Sequence, residues 1–209
     1  MNYIEHVYIC LIAPLLMAIP CARDRGRRVV GSIIIGMTAC LMSSYISSFF
    51  AEIGGASLEI AAIEISPLVE ELIKFMPVLV YLLLLSPEPD AVSESVMMIA
   101  IGFATLENVG YLLEKGAGNL MYLLIRGFGT GAMHVVCASI VIIGLNKLWK
   151  SEWPRMAGTL ALLSVAITFH GVYNIMAAQT GIAAFIGYSI PLITVITIFI
   201  VRGRLKRSK

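Results

Sequence analysis

Seven ionisable side chains interrupt stretches that are otherwise apolar enough to cross a membrane: Glu70, Glu71, Lys74, Glu107, Arg126, His134 and His170. The first three fall within SPLVEELIKFMPVLVYLLLL, residues 66–85. Each such group costs roughly 2.5–3.5 kcal/mol at bilayer depth, so it faces a protein interior and pairs with other polar groups. A chain with this pattern is expected to build a polar chamber inside a helix bundle. Composition agrees, since a mean hydropathy of +0.91 and a charged fraction of only 13% exclude an ordinary soluble domain. The 209 residues suit one integral membrane domain, 1–209, with its motif-bearing core at about 62–177 and no separate soluble part.

The expected fold is all-α, a polytopic bundle of about seven transmembrane helices near 3–20, 29–50, 62–85, 95–113, 119–147, 156–177 and 182–201. Each is close to the ~20 residues that span the hydrocarbon core. Basic residues set the orientation. Arg23, Arg25, Arg27 and Arg28 follow the first span, Lys147, Lys150 and Arg155 the fifth, and Arg202, Arg204, Lys206, Arg207 and Lys209 the last. With seven spans these 12 of the 15 basic residues share one side, which the positive-inside rule makes cytoplasmic, with the N-terminus out and the C-terminus in. The loop Pro87–Asp90 lacks basic residues and does not reverse this. Glu5 before the first apolar run, and charges only after it, read as an N-out anchor rather than a cleaved signal. Cys10, Cys21, Cys40 and Cys137 lack metal-type spacing and are expected to pack as small apolar residues.

The polar residues fall into four blocks. Glu70 and Lys74 are four apart and share a helix face, while Glu71 is three from Lys74. One carboxylate can pair with the ammonium and leave the other to move a proton. Glu107 has Phe103 and Tyr111 four residues to either side on its face, and reads as a metal ligand, a second acid–base carboxylate or an anchor for Arg126. Arg126, Thr130 and His134 advance by fours; Arg126 needs a carboxylate, either Glu107 or one of the Glu70/Glu71 pair. His170 and Asn174, also four apart, read as two donors aimed at one point. Gly102, Gly127, Gly129, Gly131 and Gly171 lie near these positions and would let helices approach closely. On the seven-span topology all four blocks sit in the middle-to-outer leaflet, which favours one shared site.

These blocks, Glu70-Glu71-x-x-Lys74, GFATLENVGY with Glu107 and Asn108, Arg126 with His134, and His170-x-x-x-Asn174, cover about half the chain. In order and separation they resemble the PrsW family of bacterial intramembrane proteases, related to the CAAX-protease and bacteriocin-processing group. The resemblance implies an integral protein of the bacterial cytoplasmic membrane that cuts a single-span membrane protein, an anti-sigma factor, on the extracytoplasmic side. No nucleic-acid partner is implied.

The residues offer no Ser–His or Asp–Asp centre and no HExxH signature. The leading expectation is a metal-free mechanism in which Glu70 or Glu71, helped by His134, activates water while His170 and Asn174 stabilise the oxyanion. Lys74, Glu107, Asn108 and Arg126 then support the site. The related CAAX enzymes imply such roles for the doubled Glu and the two His blocks. The rival expectation is a zinc or other divalent ion on Glu71, Glu107, His134 and His170. Two other classes remain open: a non-catalytic membrane scaffold or immunity protein, and a proton-coupled transporter using the same buried cluster.

Overall fold

The computed structural model describes residues 3–85, 88–116, 118–148 and 152–207, with the side chains of Leu58, Lys115, 147–157 and 202–207 outside the description. The described residues form an all-α bundle: α1 (Ile4–Ala18), α2 (Asp24–Gly54), α3 (Leu58–Ile60), a π-helical turn (Ala61–Ile65), α4 (Ser66–Leu85), α5 (Pro89–Lys115), α6 (Leu120–Leu148), α7 (Glu152–Ala177) and α8 (Ile182–Arg207). Local chemistry sets several boundaries. Gly55 adopts a left-handed conformation (φ 63°) after α2 and returns its N–H to Ala51 and Glu52, the usual role of glycine at a helix end. Pro89 opens α5, where its missing N–H costs nothing.

Among the described residues, five helices are long and apolar enough to cross a bilayer, within α2, α5, α6, α7 and α8. The expected first and third spans fall short of that measure for different reasons. Helix α1 has 15 residues, about 22 Å at ~1.5 Å per residue, against a ~30 Å core. Helix α4 is 20 residues long but carries Glu70, Glu71 and Lys74. Lys150 and Lys209 lie outside the described residues, as do the side chains of Lys115, Lys147, Arg155, Arg202, Arg204, Lys206 and Arg207.

Helix α6 is central: 67% of its most apolar stretch is buried, and it packs on α5, α7 and α8. The main core is built around Met133, Cys137, Val141 and Leu145 of α6, with Val96 and Ile99 of α5 and Ala166 and Tyr173 of α7. The outer faces are apolar, with Met42 and Phe49 on α2 and Ile193, Ile196 and Phe199 on α8 exposed. With five helices long and apolar enough to cross a bilayer, such a surface suits lipid.

The most extensive contact joins α2 to α5. A Cβ at Gly36 would lie 2.0 Å from the Ile99 carbonyl oxygen, and one at Gly102 would lie 2.2 Å from that of Ile33. The two backbones therefore touch, as small residues permit in membrane bundles. Arg25 and Arg28 pair with Glu94 at 2.7 and 2.8 Å. These residues start α2 and α5, so the two helices run parallel. Tyr8 to Thr38 (2.7 Å) and Tyr45 to Glu5 fasten α1 onto α2.

The π turn leaves one backbone carbonyl without a backbone partner. Ser66 donates its N–H to Ala61, five residues back, and Pro67 has no N–H to offer the Ala62 carbonyl. That carbonyl instead accepts the side-chain amide of Asn174 on α7 at 2.9 Å. A π turn at the mouth of a polar cavity is a common functional placement.

Candidate active site

Glu71, Lys74, His134 and His170 are all buried, yet each has a polar partner. Lys74 Nζ donates to Glu71 Oε1 at 2.5 Å and to His134 Nδ1 at 2.8 Å. An ammonium has no acceptor, so His134 receives at Nδ1 and carries its proton at Nε2. That proton is donated to Glu107 Oε2, 2.6 Å away. A carboxylate only accepts, so His170 donates its Nδ1–H to the same Glu71 oxygen at 2.9 Å. The lone pair of His170 Nε2 then faces Glu70 Oε2 at 3.6 Å. The imidazoles meet edge to face with centroids 5.2 Å apart. Phe103, 1% exposed, packs 5.1 Å from the His134 ring and 4.5 Å from Lys74 Nζ, sealing the charged chain off on that side.

Glu70 and Glu71 are divided by their helix positions. Spacing alone favours Glu70 as the partner of Lys74, but Lys74 is held from α6 by His134 and bonds Glu71 instead. Glu70 is left on the wall of a cavity of about 650 Å³, with Glu107, Arg126, Tyr111, Tyr173 and Asn174. Its Oε2 is buried and has no hydrogen-bond partner among the described residues.

Arg126 finds the predicted kind of partner. Its Nη2 lies 3.5 Å from Glu107 Oε1, its Nη1 donates to Asn108 Oδ1 at 3.1 Å, and its guanidinium stacks on Tyr111 at 3.6 Å. Asn108 also donates to the Gly127 carbonyl at 3.3 Å. Asn174 lines the chamber and gives one amide hydrogen to the Ala62 carbonyl at 2.9 Å.

The structure brings three potential ligands together, Glu70, His134 and His170, with donor atoms all within 4.8 Å of one another. The expected ligand set, Glu71, Glu107, His134 and His170, shares its two histidines with this group. The arrangement fits a divalent ion on three counts. Glu70 Oε2 is an orphaned buried oxygen. Its 3.6 Å distance to His170 Nε2 is near the ~3.3 Å between two ligands of a tetrahedral zinc with arms of about 2.0–2.1 Å. The Nδ1–H of His170 is held by a carboxylate, as in metal-bound histidines. His134 could hold an ion through Nε2 only by giving up the proton it donates to Glu107, with Nδ1 then taking one from Lys74.

Sequence reasoning missed Tyr122 and Tyr188 on the chamber wall, and the Thr130–Tyr173 hydroxyl pair at 2.8 Å. It also missed Ser43, Ser44, Ser47 and Ser48, which line a second cavity on the far side of Glu70. The doubled Ser-Ser in SSYISS recurs at helical spacing and was the available signal. The tyrosines had none, because an uncharged aromatic in an apolar span reads as packing.

A family model described as PrsW family intramembrane metalloprotease matches residues 26–202. No curated protein and no solved structure matches the chain.

Proposed function

Since the chain belongs to the PrsW family of intramembrane metalloproteases, we propose that its intramembrane proteolysis takes place where Glu70, His134 and His170 meet the chamber. The observation that carries this is the convergence of those three ligand groups on a cavity large enough, at about 650 Å³, for a short stretch of unfolded peptide. A divalent ion held by Glu70, His134 and His170 would supply Lewis-acid activation of a water and of the scissile carbonyl.

The chain's own residues then have distinct duties. Glu107, whose carboxylate is 27% exposed, is the group placed to take the proton of the attacking water and pass it to the departing amine nitrogen. The new carbon–oxygen bond and the broken carbon–nitrogen bond complete a hydrolysis. Arg126 holds Glu107 and keeps guanidinium donors for a developing oxyanion. Glu71 fixes the tautomer and tilt of His170, with Lys74 balancing its charge. Asn174 anchors the π turn at the chamber wall.

A second reading is favoured by one observation, the unbroken hydrogen-bond chain Lys74–His134–Glu107. It forms a proton relay that activates water at Glu107 or Glu70 without an ion. Chelation separates the two. Purified protein that loses cleavage with chelator and regains it with zinc supports the ion; unchanged cleavage supports the relay.

The substrate on this reading is a single-span protein of the bacterial plasma membrane, such as an anti-sigma factor. The chamber is lined by the start of α4 and the latter part of α5, at the end opposite the Arg25–Arg28–Glu94 cluster. With seven spans and the basic end in the cytoplasm, the cut falls toward the extracytoplasmic face. Co-expression with a single-span substrate tests it. Glu107→Gln and His170→Ala, checked for membrane abundance, should lower fragment yield by about 10²–10⁴-fold. A wild type that yields no mutant-sensitive fragment across a library of such proteins returns the chain to the scaffold or transport classes.

A further inference from the structure

Five α2 residues, Cys40, Ser43, Ser44, Ser47 and Ser48, recur at helical spacing and line a cleft of about 190 Å³ that also touches Ser66, Glu70 and Glu107. This cleft and the main chamber share Ala62, Ser66, Glu70 and Glu107 as walls. The chamber opens from those residues toward α6, α7 and α8, and the cleft toward α2. The two carboxylates are thus reached from two sides.

The cleft has one polar wall, the serine face of α2, across from Ala61, Ala62 and Phe103. Ser43 and Ser47 are 2% and 6% exposed, whereas Ser44 and Ser48 are exposed and mark its mouth. Ser43 and Ser44 bond back to carbonyls of their own helix, at 2.9 and 2.8 Å. Ser47 Oγ has no partner among the described residues. A buried hydroxyl left unpaired is costly, and the common remedy in a roomy cavity with polar groups on its wall is water. The volume is far above the ~10–15 Å³ that one water requires. Glu70 Oε2, equally unpaired, stands at the inner end.

Hydrolysis consumes a water, and a substrate segment filling the chamber closes the route on that side. We propose that the serine cleft between α2 and the start of α4 is a water channel, feeding the Glu70–Glu107 pair from the α2 side while the chamber holds substrate. The role in catalysis rests on the protease reading above; hydration of the cleft does not.

Two measurements test it. In protein with Cys10, Cys21, Cys40 and Cys137 replaced by alanine and reconstituted in liposomes, Ser44→Cys should react with a charged thiosulfonate at least tenfold faster than Met42→Cys, and Ser48→Cys at least tenfold faster than Phe49→Cys. Met42 and Phe49 are exposed apolar neighbours one or two residues away on the same helix. Equal rates would overturn the channel whether or not the protein cleaves anything. In the cleavage assay, Ser47→Val should lower kcat about tenfold with KM unchanged, and Ser47→Thr should restore it. A merely structural serine would move thermal stability or KM instead. Unchanged kcat in Ser47→Val also overturns the proposal, even if the cleft is wet. A wild type without proteolytic activity would sink the protease reading, and the labelling rates would still decide whether the cleft carries water.

Discussion

Lys74 is the residue on which the buried polar chain turns, because one ammonium serves both Glu71 and His134. Removing one member of such a buried pair leaves an uncompensated charge and typically costs 3–5 kcal/mol. Lys74→Met should lower unfolding stability in detergent by about that amount, and Glu71→Gln with Lys74→Met should recover part of it. If the double variant loses the sum of the single losses, Glu71 and Lys74 do not act as a pair. Glu71 also fixes His170 from behind. On the divalent-ion reading, Glu71→Gln should weaken zinc binding about 10–100-fold by equilibrium dialysis while all three ligand groups remain. Unchanged affinity would remove Glu71 from the support of the site. The ionisable members of this set were legible in the sequence, since charge in an apolar span is rare. Their pairing was not: Glu70 and Glu71 differ by one position, and the choice between them was made by a histidine sixty residues away.

At the scale of elements, the contact of α2 with α5 depends on two missing side chains. Gly36→Val and Gly102→Val should each give protein that fails to run as a single species in size-exclusion chromatography, since any Cβ would collide with backbone. Gly131→Ala and Gly171→Ala, where an added Cβ meets nothing within 4 Å, should behave as wild type. Similar profiles for both pairs would show that α2 and α5 adjust to each other. Glycines near the charged positions were expected to permit close approach, and Gly102 does so. Gly36 carries the reciprocal contact and lies far from any charge in sequence, so nothing local marked it. The π turn was similarly hidden: Pro67 is visible, but only the arrival of Asn174 from α7 shows how the freed carbonyl is satisfied.

For the whole molecule, the exposed apolar faces of α2 and α8 make this an integral membrane protein, and the charge pattern predicts its orientation. A C-terminal alkaline phosphatase fusion should be inactive and a C-terminal fluorescent-protein fusion bright, with an N-terminal tag reachable from outside. The reverse pattern would place the chamber on the cytoplasmic side and move the proposed cut with it.

Composition and spacing along the chain were enough to make it a helical membrane protein with an enclosed polar centre, and the order of four charged blocks marked the family. Those properties follow from transfer energies and local spacing, which depend on composition and neighbours along the chain. Tertiary structure alone decided which carboxylate faces the chamber, what Asn174 bonds, and that a serine-lined cleft reaches the same pair of acids. Each of these is a contact between helices far apart in sequence, where the winning partner is set by the geometry of packing and not by the residue's own preference.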